Sequence, residues 1–177
     1  MKAAAAPVLI SDLEIQSRVA EMGARISDDY RDRSILVVGI LKGSFIFIAD
    51  LIRQIDPTIA VELEFMKVSS YGSGTTSSGE VRIENDIGSP VEGKDLLIVE
   101  DIVDTGLTIS RIRDLFASRG AASIRIATLL EKETDRGHSL TLDYIGFKIP
   151  DRFVVGYGLD FAQRYRNLKE IRVLDAQ

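Results

Sequence analysis

A buried strand that ends in two carboxylates constrains this chain more than any other feature of its sequence. The apolar run from Leu96 to Val99 leads directly into Glu100 and Asp101. Strands that are apolar along their whole length belong to parallel sheets with both faces covered. Such sheets bind ligands at the carboxyl ends of their strands. We therefore predict an α/β fold in which this acid pair lies at a ligand site.

The turn after the acid pair has the composition of a phosphate-binding loop. Thr105 and Thr108 supply hydroxyl groups, Gly106 permits close approach of the backbone, and a helical pattern follows. Free N–H groups at the start of such a helix bind phosphate. The spacing is not that of a Walker A loop, and a threonine that simply caps a helix would give the same residues. Carboxylates for ribose hydroxyls beside a turn for a phosphate ester together favour a phosphorylated sugar as the ligand.

The rest of the chain alternates between helical and strand patterns. Ser11 and Glu14 form a capping-box pattern ahead of apolar residues at helical spacing. The further predicted elements are a strand from Ser34 to Leu41, a helix from Ser44 to Ile55, a strand from Ala60 to Val68, a helix from Thr108 to Arg119, a strand from Ser123 to Leu130, and short strands near Leu142 to Phe147 and Phe153 to Tyr157. This alternation predicts a central, mostly parallel sheet flanked by helices. Residues 69–80, rich in Ser, Gly and Thr, are predicted to form a mobile loop.

The length and charge of the chain limit its class. Its 177 residues fit one domain, 1–177, that is large enough to bury its own core. The net charge of -5 argues against a nucleic-acid partner or an anionic membrane, which would need clustered Lys and Arg. The chain has no cysteine, so disulfides and thiolate chemistry are excluded and a cytoplasmic location is the default expectation. The N-terminal apolar stretch is shorter than most secretory signals and is interpreted as a ragged end leading into the domain.

The acid pair and the turn together read EDIVDTGLT at residues 100–108, which resembles the phosphoribosyl diphosphate signature of the type I phosphoribosyltransferases. Relatives that use adenine, orotate or uracil usually have a small or apolar residue at the position of Asp104, so the segment is similar to the hypoxanthine-guanine branch. The resemblance extends from about Ile10 to the C-terminus. It implies a core at about residues 11–130 and a small hood over the base site, formed by the N-terminal residues and about 131–177.

The resemblance implies transfer of the 5-phosphoribosyl group from 5-phosphoribosyl diphosphate to N9 of a 6-oxopurine, giving a nucleoside monophosphate. Asp104 is then the general base that accepts the purine proton, although a helix-capping Asp is the structural alternative. Glu100 and Asp101 would bind the ribose hydroxyls, directly or through Mg²⁺. The implied contacts to the ribose and its phosphate continue through the turn, at Asp104, Thr105, Gly106, Leu107 and Thr108. Leu107 departs from the family, since many members have a polar or basic residue in that slot.

Pyrophosphate is the implied leaving group, and its negative charge implies Mg²⁺ as a cofactor. The resembled metal ligands are Glu100, Asp101 and Asp160. The resembled pyrophosphate contacts lie in a first loop, in the mobile loop and beyond the hood strand, and they are Lys42, Gly43, Ser70, Tyr71 and Arg166. Ordinary surface charges are the alternative interpretation of Lys42, Arg166 and Asp160. In the family, the peptide bond that precedes the first-loop lysine is often cis.

Base recognition is assigned by the resemblance to Lys132 and to the segment Phe153 to Asp160, which reads FVVGYGLD. Lys132 would donate to a 6-oxo group, Phe153 would stack on the purine, and the backbone of Val154 would contact the base edge. Asp160 ends this segment and is counted with both the base site and the metal site. Lys132 could equally belong to a solvated charge run, and Phe153 could equally be a core residue.

Two other functions fit the same fold. One is a xanthine-guanine phosphoribosyltransferase, although such chains are usually shorter and their hoods are spaced differently. The other is a regulator that binds nucleotides or RNA, which would need a basic face that this acidic chain does not suggest. The family usually forms oligomers, so a homodimer or a homotetramer is expected.

Overall fold

The computed structural model describes residues 6–70, 81–134 and 140–174. Its helices are α1 (Asp12–Asp29), α2 (Phe45–Ile52) and α3 (Leu107–Ser118). Its strands are β1 (Val8–Ile10), β2 (Ser34–Leu41), β3 (Ala60–Ser70), β4 (Val81–Asn85), β5 (Asp95–Val103), β6 (Ser123–Lys132), β7 (Tyr144–Ile149), β8 (Val154–Val155) and β9 (Ile171–Val173). Helices and strands alternate through most of the chain, as the sequence predicts.

A six-stranded sheet forms the centre of the fold, with the strand order β4-β3-β2-β5-β6-β7. All neighbours run parallel except β4, which is antiparallel to β3. The prediction of a mostly parallel sheet is therefore confirmed. Gly39 of β2 lies beside Val99 of β5, so these two strands end next to each other. Lys42, which follows β2, and Asp101, which lies near the carboxyl end of β5, consequently meet at one edge of the sheet.

Helices cover both faces of this sheet. Along β5, Leu97 and Val99 point into a core packed under α1 and α2, whereas Leu96 and Ile98 point into a second core under α3. All four side chains are fully buried. Each contributes roughly 1.5–3 kcal/mol relative to an exposed side chain. The two-sided burial explains why β5 is apolar from Leu96 to Val99, and it fixes the position of the acid pair that follows this run within the strand.

The first helix begins as the sequence predicts. The Ser11 hydroxyl accepts from the Glu14 N–H at 3.4 Å, and the Glu14 carboxylate accepts from the Ser11 N–H at 2.8 Å, which completes the capping box. The apolar side chains at helical spacing, Ile15, Val19, Met22 and Ile26, are buried against the sheet. The capping box therefore sets the start of the helix, and the apolar stripe sets its orientation.

A second, three-stranded sheet with the order β1-β9-β8 joins the two ends of the chain. Both of its pairings are antiparallel. The sequence did not predict β1 or β9, because a three-residue strand shows no periodicity and its partner lies far away in the chain. The expectation of a ragged N-terminal end is wrong for Val8–Ile10. The strand β7 falls within the segment 131–177 that the resemblance assigns to a hood, and it forms an edge of the six-stranded sheet.

Several element bounds differ from the sequence predictions. The helix α2 ends at Ile52 instead of Ile55, because the chain turns through hydrogen bonds such as Gln54 N–H to Leu51 C=O at 3.0 Å. Ile55 nevertheless remains buried, which explains why it fits the apolar pattern. The strand β4 was not predicted. Within the described residues, no helix is long and apolar enough to cross a membrane.

Candidate active site

Two adjoining cavities open at the carboxyl ends of the parallel strands. The larger has a volume of about 570 Å³, the smaller one of about 200 Å³, and both are lined by Ile102 and Asp104. The larger cavity collects most of the residues that the sequence analysis selected: Lys42, Gly43, Asp101, Asp104, Lys132, Phe153, Val154, Asp160 and Arg166. The smaller cavity collects the acid and turn residues Glu100, Asp104, Thr105, Gly106 and Thr108. The structure thus brings together residues from five separate segments.

The acid pair lies at the floor of these cavities. Glu100 is only 9% exposed, and its Oε1 accepts a hydrogen bond from the Asp101 N–H at 3.1 Å. Burial raises the pKa of Glu100 well above its usual range, and the charge of Asp101 adds to the rise. Burial also raises the pKa of Asp101, although hydrogen bonds with the Glu100 side chain and from the Ile102 N–H, and then the charge of Arg166, oppose the rise. Two crowded carboxylates in a poorly solvated position favour hydroxyl donors or a cation as partners.

The turn after β5 has the form of an anion site. Gly106 adopts φ +79° as the N-cap of α3, a left-handed conformation that suits glycine. Next to Gly106, the Leu107 N–H donates to the Thr105 hydroxyl oxygen, with 3.5 Å between nitrogen and oxygen. Leu107 is the first residue of the helix, so the N–H groups of its first turn have no partners within the helix. Backbone donors are therefore present in the slot where the family often has a polar side chain.

The first loop packs tightly against the acid pair. The peptide bond between Leu41 and Lys42 is cis, as in the family that the sequence resembles. A Cβ atom on Gly43 would overlap the Asp101 carboxylate, and one on Gly158 would overlap the Gly43 carbonyl oxygen. Glycine is required at both positions because each lets a loop approach the site closely. The first loop therefore lies packed between Asp101 on one side and the segment that holds Gly158 on the other.

The segment after β8 is held by charged and polar contacts. Arg166 forms an ion pair with Asp160 at 2.7 Å and donates to the Gly158 carbonyl oxygen at 2.7 Å. The second Asp160 oxygen accepts from the Gln163 N–H at 2.7 Å. The Tyr157 hydroxyl donates to Asp50 of α2 at 2.7 Å, which ties this segment to the helix after the first loop. These contacts orient Arg166 and Asp160 toward the larger cavity.

Lys132, Phe153 and Val154 line one end of the larger cavity. The Lys132 ammonium lies 2.8 Å from Asp151 and 3.4 Å from Asp104, and its side chain is only 15% exposed. Although burial lowers its pKa, the two carboxylates raise the pKa of Lys132 overall. Phe153 is 49% exposed, which excludes the alternative that it is a core residue. Lys132 is likewise not part of a solvated charge run.

The structure adds cavity residues that the sequence analysis did not select. Lys67 and Ser69 lie near the carboxyl end of β3, and Glu84 of β4 pairs with Lys67. Arg152 and Gln163 also line the cavity. The rule that ligands bind at the ends of parallel strands could have selected Lys67 and Ser69. Nothing in the sequence points to the others.

Part of the predicted mobile loop lies outside the described residues. Ser70 ends β3, where its backbone pairs with Val81, and Tyr71 is not among the residues that the structure describes. The predicted pyrophosphate contacts of these two residues therefore remain predictions.

The donor set fits a magnesium ion that is shared with a substrate. No cluster of three or more His, Cys, Asp or Glu side chains in the described ranges is close enough to hold a metal ion by itself. Mg²⁺ is usually bound by one or two carboxylates together with waters and substrate phosphates. Glu100 and Asp101 provide two crowded carboxylates next to a predicted diphosphate site. Asp160 is engaged by Arg166 and Gln163.

The comparison with known families agrees with the fold. The mostly parallel sheet carries the acid pair, the turn after β5 and the first loop at its carboxyl edge, where open α/β sheets bind ligands. The family model described as "Phosphoribosyl transferase domain" matches residues 11–162. The chain belongs to this family.

Individual relatives are highly similar. The hypoxanthine-guanine phosphoribosyltransferase of Bacillus subtilis (strain 168) is 53% identical over 94% of this chain and 92% of that protein. A bifunctional protein of Listeria innocua, named TilS/HprT, is 50% identical over 94% of this chain, which spans only 26% of that protein. A crystal structure of a hypoxanthine phosphoribosyltransferase from Staphylococcus aureus superposes with a TM-score of 0.90 at 47% identity, covering 96% of this chain and 91% of the other.

Proposed function

We propose that this protein salvages purines by transferring the 5-phosphoribosyl group of 5-phospho-α-D-ribosyl 1-diphosphate to N9 of hypoxanthine or guanine. The products are the nucleoside monophosphate, IMP or GMP, and pyrophosphate. The observation that supports this reaction best is the position of Asp104. It lies between the phosphate turn and the Lys132 ammonium, 3.4 Å from the latter, and lines both cavities. The similarity to enzymes named for hypoxanthine and guanine supports the choice of base.

The base would bind at the end of the larger cavity. The Phe153 ring would stack on the purine, and the Lys132 ammonium would donate to the 6-oxo group. The backbone of Val154 would contact the opposite edge of the ring. Adenine presents an amino group where hypoxanthine and guanine present an acceptor, so a lysine at this point favours 6-oxopurines.

Asp104 would manage the proton of the purine. As N9 attacks C1 of the ribose, the N7 proton moves to the Asp104 carboxylate. General-base assistance of this kind is worth about 10²- to 10⁴-fold in rate. The same position at the start of the phosphate turn lets Asp104 act without displacing the sugar phosphate.

The sugar would bind across the acid pair. Glu100 and Asp101 would accept hydrogen bonds from the ribose hydroxyls, and their negative charge would stabilise the cationic, oxocarbenium-like transition state. The 5-phosphate would bind the turn at Thr105, Gly106, Leu107 and Thr108, through backbone N–H groups and two hydroxyls.

The pyrophosphate leaving group would bind at the first loop and Arg166. Lys42 and Arg166 would supply positive charge, with Gly43, Ser70 and Tyr71 as further contacts. Mg²⁺ held by Glu100 and Asp101, with Asp160 as the proposed second site, would supply charge neutralisation when it is bound. For Asp160 to take part, the Arg166 guanidinium would have to share its carboxylate.

The first experiment is a Mg²⁺-dependent assay with 5-phosphoribosyl diphosphate and each of hypoxanthine, guanine, xanthine, adenine and uracil. We expect turnover of hypoxanthine or guanine. We expect Asp104→Ala to lower kcat by about 10²- to 10⁴-fold, because the proton then has no positioned acceptor.

The matched control is Asp114→Ala, which removes an exposed carboxylate of α3 that pairs with Arg113. Its kcat should equal that of the wild type. Faster turnover of xanthine would favour the xanthine-guanine enzyme instead. Tight binding of the diphosphate without turnover of any base would overturn the catalytic proposal and favour a nucleotide-binding regulator.

The assembly and location that we propose rest on the family alone. They are a homodimer or a homotetramer in the cytoplasm, and light scattering after size exclusion tests the assembly.

A further inference from the structure

The Lys132 ammonium lies between two carboxylates that come from different parts of the fold. Asp151 accepts a hydrogen bond from it at 2.8 Å, and Asp104 pairs with it at 3.4 Å. Lys132 ends β6, Asp104 follows β5, and Asp151 lies between β7 and β8. The side chains of Asp104 and Asp151 are 50% and 65% exposed, whereas that of Lys132 is 15% exposed. Lys132 is thus the most buried of these three side chains.

The turn that holds Asp151 also holds the proposed stacking residue. The Arg152 N–H donates to the Pro150 carbonyl oxygen at 2.7 Å, which tightens the turn directly before Phe153. The Glu133 N–H donates to the Ile149 carbonyl oxygen at 2.9 Å, which fixes the end of β6 against this turn. Asp151 and Lys132 therefore lie on backbone segments that are joined to each other, and their ion pair has a defined geometry.

The Lys132 ammonium has one more N–H donor than it has carboxylate partners among the described residues. A lysine ammonium has three N–H donors and no acceptor. Among the described residues, two carboxylates engage Lys132, so a third donor has a direction set by the other two. Lys132 lines the larger cavity together with Phe153, so a ligand bound there could accept from that donor.

We propose that Asp151 is a positioning residue that determines base specificity by fixing the direction in which Lys132 donates. The proposal rests on the proposed function, since it requires a purine at this end of the cavity. With Asp151 present, the third donor meets an acceptor at purine position 6, which hypoxanthine and guanine have. Without Asp151, the ammonium turns toward Asp104, and its remaining donors lose their fixed direction. Binding of 6-oxopurine nucleotides then weakens, whereas binding of a 6-aminopurine nucleotide changes little.

The test is calorimetric titration of the full chain with IMP and with AMP, which differ at purine position 6. The measured quantity is the ratio of the AMP dissociation constant to the IMP dissociation constant. We expect Asp151→Asn to lower this ratio by about two- to fivefold, the effect of an ion pair with one exposed partner. Asp151→Glu should restore most of the ratio, because it returns a carboxylate to the turn. Asp114→Asn is the matched control and should leave the ratio unchanged.

A double-mutant cycle separates positioning from a purely structural effect. In a Lys132→Met background, Asp151→Asn should have no further effect on the ratio, because it acts only through Lys132. An equal effect of Asp151→Asn in both backgrounds would overturn the proposal, as would an unchanged ratio in the single variant. A wild-type protein that binds IMP no more tightly than AMP would overturn the proposed function and this inference together. Normal preference for IMP with no effect of Asp151→Asn would overturn only the inference.

Discussion

Gly43 shows how much of the site depends on a single missing side chain. A Cβ atom at this position would overlap the Asp101 carboxylate, so any larger residue must displace either the first loop or the acid pair. We expect Gly43→Ala to lower kcat/KM for 5-phosphoribosyl diphosphate by about 10²-fold, the usual cost of a misplacement of about 1 Å at a reacting centre. Steady-state kinetics with the diphosphate varied measures this effect.

Gly88→Ala provides the matched control, because the nearest heavy atom to an added Cβ there is Glu64 Oε1 at 3.9 Å. This variant should retain wild-type kinetics. Equal activity of both glycine variants would contradict the tight packing of Gly43 on Asp101.

At the level of single residues, the sequence identifies candidate site residues, but it does not identify the residues that they contact. The motif points to Asp104 and the resemblance to Lys132, and the structure brings both to one cavity. Asp151 has no motif of its own, and only the pairing of β6 with β7 explains why it reaches Lys132. Contacts of this kind depend on strand register, which a local pattern does not contain.

The capping box of α1 stabilises an element that covers one face of the sheet. Ser11→Ala removes the hydroxyl that accepts from the Glu14 N–H. We expect a loss of about 1 kcal/mol in the free energy of unfolding, which corresponds to a Tm lower by about 2–4 °C for a chain of this size. Chemical and thermal denaturation measure the two values.

Ser17→Ala makes the same substitution at an exposed position within α1. Because alanine is the better helix former, this variant should be at least as stable as the wild type. Equal destabilisation by both changes would show that the capping box does not stabilise the helix.

A helix or strand was predictable where its own residues determine its structure. The capping box, the apolar stripe of α1 and the apolar runs of β2 and β5 each fix a local structure, and all are found. The strands β1, β4 and β9 were missed. β1 and β9 pair with each other and β4 pairs with β3 in antiparallel fashion, so their existence depends on partners as much as on their own sequence.

Across the whole molecule, three buried tyrosines link stability to alkaline pH. Burial raises the pKa of Tyr30 to about 12. Burial also raises the pKa of Tyr144 and Tyr157, each of which in addition donates a hydrogen bond to a carboxylate, Asp29 and Asp50 respectively. The native state therefore holds protons that the unfolded chain releases near pH 10.

The direction of the effect follows from proton linkage. Because the unfolded chain binds fewer protons above pH 10, the free energy of unfolding should fall as pH rises from about 10 to 12, by at most about 1.4 kcal/mol per pH unit for each tyrosine. Below pH 10 this contribution is fully present. Urea denaturation at a series of pH values, with absorbance at 295 nm to follow ionisation, measures it.

Tyr30→Phe isolates one of these groups. In the described part of the chain, the Tyr30 hydroxyl has no hydrogen-bond partner, so its removal should cost little at pH 7. The variant should show a shallower fall in stability above pH 10. A fall as steep as that of the wild type would contradict the assignment of a raised pKa to Tyr30.

The sequence by itself determined the class of fold and predicted the chemistry of the site. The two-sided apolar strand before Glu100 required a covered, mostly parallel sheet, and the segment from Asp104 to Thr108 predicted a phosphate turn at its carboxyl edge. The sheet prediction is confirmed because hydrophobic periodicity is a property of neighbouring residues, whereas the phosphate turn stays a prediction. The same local signals placed the helices α1 and α3.

Only the tertiary structure decided which distant residues share the site. The adjacency of β2 and β5 sets Gly43 against Asp101, and the β1-β9-β8 sheet joins the two ends of the chain. The Asp151–Lys132–Asp104 group exists because β5, β6 and β7 lie side by side in one register. Such proximities arise from burial of the whole core, which no short segment encodes alone.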